Sequence, residues 1–123
     1  MGEGKENMTL TEYVDLVANT NKDVFCQDEL LIEDNFDVKL LLKLCPSELP
    51  DSRLKVAWDM IVSAVAEKFK DSQLVDFFPE SILEFLIENK IALSGLSHIR
   101  LPKKYLQKIY EKDNRCWEAL KNI

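Results

Sequence analysis

The side chains best suited to nucleophilic or metal chemistry in this sequence are one histidine, His98, and three cysteines, Cys26, Cys45 and Cys116. A histidine beside a thiol can act as the general base of a nucleophilic enzyme. No local signature of such a pair surrounds any of these residues. Structural zinc sites normally contain a closely spaced pair such as Cys-x-x-Cys, which this chain lacks. We therefore expect no catalytic residue, no metal site and no cofactor.

Two pairs of glutamates stand four positions apart, Glu84 with Glu88 and Glu29 with Glu33. Paired carboxylates perform acid–base catalysis where burial shifts one of their pKa values. In this sequence each pair alternates with apolar neighbours, a pattern typical of a solvated helix face. The three glycines are too scattered for a phosphate-binding loop. The chain is therefore predicted not to be an enzyme.

The stretch HIRLPKKYLQKIYEK, residues 98–112, interleaves lysines with tyrosines as some proteins that bind single-stranded nucleic acid do. The spacing of Tyr105, Leu106 and Ile109 is equally that of a packed amphipathic helix whose lysines face solvent, and we favour that interpretation. The whole chain has a net charge of −6. Residues 97–123 alone carry seven basic and three acidic side chains, a net charge of +4. Nucleic acid is thus not expected as the main ligand, although a local basic patch fits.

Helix-start signals recur along the chain. The tetrapeptide TLTE at 9–12 has the pattern of a capping box. Asp37 opens a second helix, which must end before Pro46 because the residue preceding proline disfavours the α region. Pro79 and Pro102 each stand at the first position of a later helix, where a missing amide hydrogen costs nothing.

The longest predicted helix follows Ser52 as its cap and includes RLKVAWDMIVSAVAEKF, residues 53–69. Trp58, Ile61 and Val65 recur at helical spacing, so we predict that they belong to the core. Further along the chain, either Asn89 or Gly95 is expected to adopt the left-handed conformation that ends the helix after Pro79.

The composition favours an all-α protein. Apolar residues make up 46% of the chain and charged residues 31%, while three glycines and four prolines leave little room for hairpins. We predict a disordered lead-in at residues 1–8. A single compact bundle of six or seven short helices follows over residues 9–123, and either Asp113 or Asn114 caps the last of them. The segment 22–36 reads either as a short helix from Asp28 or as an extended stretch that docks residues such as Leu31 and Ile32 on the core.

Location is predicted from what the sequence lacks. No apolar run is long enough to span a bilayer, and the first ten residues contain no hydrophobic segment of a secretory signal. An odd number of widely spaced cysteines does not fit a disulfide framework. We therefore expect an intracellular protein, cytoplasmic or nuclear, that is not membrane-bound.

The stretch 74–87 has more apolar mass than a core helix of this size usually needs. It is either a central buried pair of helices or a surface for another protein. Because no catalytic constellation competes, we predict a non-enzymatic interaction module whose partner has an apolar patch and an acidic rim. The residues predicted to contact this partner, as an apolar centre and a basic rim, are Phe78, Leu83, Phe85, Leu86, Lys103, Lys104, Tyr105, Lys108 and Ile109.

Residues 72–113 resemble helical modules of ubiquitin-ligase substrate adaptors. In BACK domains a helix similar to ILEFLIENK is followed by a short link and then by a helix similar to LPKKYLQKIYEKD. Elongin-binding boxes also resemble this arrangement, although Phe78 stands where they have Cys, Ser or Ala. The resemblance implies adaptor work through protein–protein contacts and no enzymatic activity.

Two other functions remain open. One is a helical signalling regulator of the Bcl-2-like or death-fold type, whose hallmark is an exposed apolar groove. The other is a nucleic-acid accessory protein that uses the basic residues 97–123, whose binding would be sensitive to salt.

Overall fold

The computed structural model describes residues 8–20, 30–46, 48, 51–71 and 76–116, and this part of the chain is mainly helical, as predicted. No helix within it is long and apolar enough to cross a membrane. The elements in chain order are β1 (Met8–Thr9), α1 (Leu10–Ala18), β2 (Leu30–Leu31), a 3₁₀ helix (Val38–Leu44), α2 (Ser52–Lys68), α3 (Glu80–Glu88), α4 (Leu93–Leu96) and α5 (Lys103–Lys112).

The capping box at the start of α1 is confirmed. The Thr9 hydroxyl accepts the backbone N–H of Glu12 at 3.2 Å, and the Glu12 carboxylate accepts the backbone N–H of Thr9 at 3.1 Å. These two bonds satisfy amide groups that a helix start leaves unpaired. The extended backbone at Thr9 also lets β1 pair with β2 in parallel, with Met8 opposite Leu30. Met8 is therefore ordered, one residue earlier than predicted, while residues 1–7 lie outside the described part.

The described end of the region that the sequence left open begins with the strand β2 and then makes a turn at Asp34 and Asn35, where the backbone N–H of Phe36 donates to the carbonyl of Glu33 at 3.1 Å. Ile32 is buried as expected. Leu31 is 47% exposed, so the expectation that it docks on the core is wrong. Successive side chains of a strand point to opposite sides, and this alternation separates the two residues. The first part of this region, residues 22–29, lies outside the described part.

The helix predicted after Asp37 is present, but it is a 3₁₀ helix. The Asp37 carboxylate accepts the backbone N–H of Lys39 at 3.0 Å, and the helix ends at Leu44, before Pro46. The indole N–H of Trp58 donates to the carbonyl of Leu44 at 3.0 Å in a buried position. This bond pairs a carbonyl that the helix end leaves free with an indole that would otherwise be buried unpaired.

The longest helix, α2, lies at the centre of the core. Trp58, Ile61 and Val65 are completely buried, so their predicted place in the core is confirmed. The cap is Asp51, not Ser52: the Asp51 carboxylate accepts the backbone N–H of Leu54 at 3.0 Å. Both residue types are good caps, and the chain places the carboxylate three residues before a free amide.

The link between α3 and α4 contains two residues in the left-handed conformation, Lys90 with φ 56° and Ala92 with φ 55°. The prediction of Asn89 or Gly95 in this role is wrong. Asn89 has φ −92°, and its side-chain amide donates to the carbonyl of Phe85 at 2.8 Å. Gly95 serves a different purpose, because a Cβ there would lie 2.8 Å from the Val62 Cγ1 atom, so glycine lets α4 approach α2 closely.

Helices α3 and α5 begin close to the prolines that predicted them. Pro79 and Pro102 occupy the cap positions, and α3 and α5 begin one residue later than predicted. A cluster of buried apolar side chains has members from all six described helices. After α5, Cys116 is buried but not helical, and residues 117–123 of the predicted last helix lie outside the described part.

Candidate functional site

Most of the apolar residues predicted to meet a partner are core residues in the structure. Five of the nine predicted contact residues are at most 5% exposed: Phe78, Leu83, Leu86, Tyr105 and Ile109. Helices α3 and α5 pack against each other, and this packing takes up the apolar mass of residues 79–87. In this conformation the five side chains stabilise the fold and are covered, so the central buried pair of helices is the better interpretation of this stretch.

The other predicted contact residues are accessible to different degrees. Phe85 is half-buried against the core, while Lys103, Lys104 and Lys108 are exposed. The Lys104 ammonium lies 3.5 Å from the Glu80 carboxylate, which raises the pKa of Lys104. Part of the predicted basic rim is thus paired with the acidic edge of α3. Lys103 and Lys108 form no ion pair with the described residues.

An apolar groove that the sequence did not predict lies between β2 and α2. We call it the α2–β2 groove; its volume is about 650 Å³. Leu30, Leu31 and Ile32 form one wall, and the other is a face of α2 about two and a half turns long. The α2 residues of this wall are Asp59, Met60, Ser63, Ala64, Glu67 and Lys68.

Three polar contacts, made by Lys68 and Thr11, hold the β2 wall of the groove in place. The Lys68 ammonium donates to the carbonyl of Ile32 at 2.6 Å and lies 3.4 Å from the Asp34 carboxylate. On the other side, the Thr11 hydroxyl donates to the Glu33 carboxylate at 2.6 Å. Burial raises the pKa of Glu33, but the hydrogen bonds from Thr11 and from backbone amides outweigh this effect and lower it overall. The wall is therefore clamped from α1 and from α2.

The α2 wall of the groove includes a small side chain and a flexible one. Ala64 leaves space on the α2 face, and Met60 is a flexible residue able to fit different apolar neighbours. The Met60 sulfur accepts the Tyr13 hydroxyl at 3.3 Å, which holds it from the core side. Leu31, 47% exposed, stands at the edge. The site can therefore enclose apolar side chains but offers few groups for chemistry.

A second cavity, of about 430 Å³, lies beside the first, where α2 meets the α3–α4 link and the end of α5. We call it the basic pocket. Four cationic side chains and two carboxylates line it, and Asp59 lines both cavities. These charged residues are Lys55, Lys90, Lys112, Arg115, Asp59 and Asp113.

Among the described residues, no histidine or cysteine lines either cavity. Burial raises the pKa of the Cys45 thiol to about 11 and raises that of Cys116 as well, so both are poor nucleophiles. His98 is exposed. Among the described residues, no three His, Cys, Asp or Glu side chains are grouped so that they could hold a metal ion.

The two cavities depend on contacts that the sequence pattern does not encode. The groove requires the path of β2, which the sequence left undetermined. The basic pocket requires a left-handed Lys90, whereas the sequence signal for that conformation stands one residue earlier, at Asn89. No protein-family model, curated protein or solved structure shows a significant match to this chain.

Proposed function

We propose that this chain is a non-enzymatic, intracellular protein–protein interaction module, a single helical bundle that binds a segment of another protein in the α2–β2 groove. The observation that carries this proposal is an apolar groove with a partly exposed leucine at its edge. Its volume is within the range of about 300–1,000 Å³ typical of ligand sites, and its lining is mostly apolar. Grooves of this kind take the apolar side chains of a helix or an extended segment.

The groove also has the preformed structure that favours binding. Its β2 wall is clamped at Glu33 and Lys68, so the bound segment would meet a largely preformed surface, and less ordering entropy would oppose binding. Burying Leu31 and the apolar part of Met60 under a partner would remove apolar surface from water, the main source of affinity in such contacts.

An adaptor of the kind that residues 72–113 resemble is a narrower form of this proposal. The helix–link–helix order of α3 to α5 supports it. A helical signalling regulator of the Bcl-2-like type is the second candidate, and the apolar groove is the specific observation in its favour. Both functions use the same surface and differ in the partner.

The test is a titration of the ¹⁵N-labelled chain with N-acetyl-leucine N-methylamide, followed by NMR. We expect shift changes at the amides of 30–32 and 60–68. Ser63→Tyr should abolish them, because Ser63 is an exposed residue of the groove wall and a phenol ring there would fill the cavity.

Ser81→Tyr is the matched control, since Ser81 is an exposed helical serine that lines neither cavity. It should bind like the wild type. If the wild-type amides around the groove do not respond, or if both tyrosine variants bind equally well, the proposal is wrong.

A further inference from the structure

The basic pocket has positive charge that the fold does not use. Arg115 and Asp113 neutralise each other through two hydrogen bonds, from Nε at 3.0 Å and from an Nη atom at 2.9 Å. Lys112 lies 3.5 Å from Glu88, with which it forms an ion pair. Lys55 and Lys90 form no ion pair with the described residues, although the charge of Lys90 helps to lower the pKa of Asp113.

One carboxylate, Asp59, remains to oppose these two lysines. It forms no ion pair with the described residues either. Partial loss of water raises the pKa of Asp59, since burial disfavours the ionised form. Among the described residues that line the pocket, the charged groups outside ion pairs are therefore two cations and one carboxylate, in a protein whose overall net charge is −6. A local positive site on an acidic protein attracts an anion selectively, because the rest of the surface repels it.

The backbone at the mouth of the pocket is in a conformation that costs free energy. Lys90 and Ala92 both have positive φ, a left-handed conformation that is unfavourable for residues other than glycine. Both residues line the pocket. Strained residues of this kind concentrate at ligand sites, where the surrounding structure holds them in place.

We propose that the basic pocket binds an anionic oxygen group, a carboxylate or a phosphate, carried by the same partner segment that places an apolar side chain in the α2–β2 groove. This inference rests on the proposed function. It specifies the partner: a segment in which an apolar anchor is followed or preceded by an acidic or phosphorylated residue. The partner is still predicted to have an acidic rim. The basic residues that contact this rim are now Lys55 and Lys90, in place of Lys103, Lys104 and Lys108.

The spacing along α2 sets the distance between the two features of such a segment. From Lys55 to Ser63 the helix rises by about 12 Å, at 1.5 Å per residue. An extended chain covers this distance in about four residues, at roughly 3.3 Å each. Asp59 lies between the two positions and lines both cavities, so one segment can cross directly from the groove to the pocket.

The experiment uses the whole chain and three acetylated, amidated pentapeptides of the form Leu-Ser-Ser-Ser-X, with X as Glu, Gln or Lys. We expect the Glu peptide to bind about tenfold more tightly than the Gln peptide, with a difference that shrinks in high salt. The Lys peptide should bind most weakly. NMR shifts should include the amides of residues 55, 90 and 94 with the Glu peptide only.

The decisive variant is Lys55→Gln/Lys90→Gln, which should bind the Glu and Gln peptides equally well. Its matched control is Lys39→Gln/Lys103→Gln, which removes the same charge from two exposed lysines that line neither cavity and form no ion pair with the described residues. The control should keep the preference for Glu. Loss of preference in both variants would show a general charge effect and overturn the inference.

A titration with inorganic phosphate distinguishes a pocket for a free anion from a pocket for an anionic group on a partner segment. If phosphate shifts the pocket amides while the Glu peptide binds no better than the Gln peptide, the pocket serves a free anion and the inference about the partner is wrong. If N-acetyl-leucine N-methylamide binds the groove and no anion reaches the pocket, the proposed function stands and this inference fails. If the leucine probe fails while phosphate binds, it is the proposed function that fails, and the shared partner segment with it.

Discussion

At the scale of single residues, burial decides which reactive groups are usable. The thiol of Cys45 lies after the 3₁₀ helix and donates to the carbonyl of Leu41 at 3.6 Å. Loss of water around it raises its pKa from 9.0 to about 11. The thiolate is the reactive form of cysteine, so this group is held in an unreactive state at neutral pH.

We predict slow alkylation of Cys45 in the folded protein. At pH 8 its thiolate fraction should be roughly a hundredfold below that of a thiol at the ordinary value, because each pKa unit changes the fraction tenfold. The measurement is iodoacetamide labelling followed by peptide mass spectrometry, with the chain in denaturant as the control. The native rate should keep rising as the pH approaches 11, whereas the denatured rate levels off near 9. Equal rates in the two states at pH 8 would contradict the assigned burial.

Residue patterns predict burial well where periodicity is clear. Trp58, Ile61 and Val65 recur on one face of α2, so their place in the core followed from the sequence. The burial of Leu83 and Leu86 did not follow, because an excess of apolar residues looks the same whether it is covered by another helix or exposed. Only the packing of α3 on α5 distinguishes the two cases.

At the scale of elements, the caps were predictable and the close approaches were not. Thr9 and Asp37 are caps because their side chains reach a nearby amide, a local event that the sequence contains. The crossing of α4 over α2 is not local. Gly95 lies against Val62, 33 positions away in the chain, whereas the sequence around this glycine indicates only a left-handed helix end.

We predict that Gly95→Ala destabilises the protein by about 1–3 kcal/mol, the usual cost of overpacking a core. The added methyl group would lie 2.8 Å from a branched side chain with few rotamers to relieve the contact. In Gly95→Ala/Val62→Ala the obstacle is removed, so the loss should be smaller than the sum of the two single losses by about 0.5 kcal/mol or more. Urea unfolding of all four proteins measures this coupling. Additive losses would show that α4 does not approach α2 as closely as described.

At the scale of the whole molecule, acidic and basic residues that are distant in the sequence form ion pairs in the fold. The acidic side chains Glu80 and Glu88 of α3 face the basic ones of α5, at 3.5 Å from Lys104 and from Lys112. Exposed pairs of this kind contribute little stability, so the apolar cluster shared by all described helices must hold the fold together. The charge pattern instead leaves a few lysines free, and those at 55 and 90 lie in a cavity.

A shared cluster predicts one cooperative unfolding transition, as a single domain requires. Trp117→Phe leaves Trp58 as the sole tryptophan, a reporter at the centre of α2, while far-UV circular dichroism reports all helices together. The midpoints of the two transitions in urea should coincide, both with and without chelator and reductant.

Ile61→Ala in this background should lower the free energy of unfolding by about 2–5 kcal/mol and shift both probes equally, because Ile61 is fully buried. Ser63→Ala, two residues further along α2 and exposed, should change the free energy of unfolding by no more than about 0.5 kcal/mol. Separate midpoints for the two probes would show that α2 unfolds apart from the later helices and that the chain is not one domain.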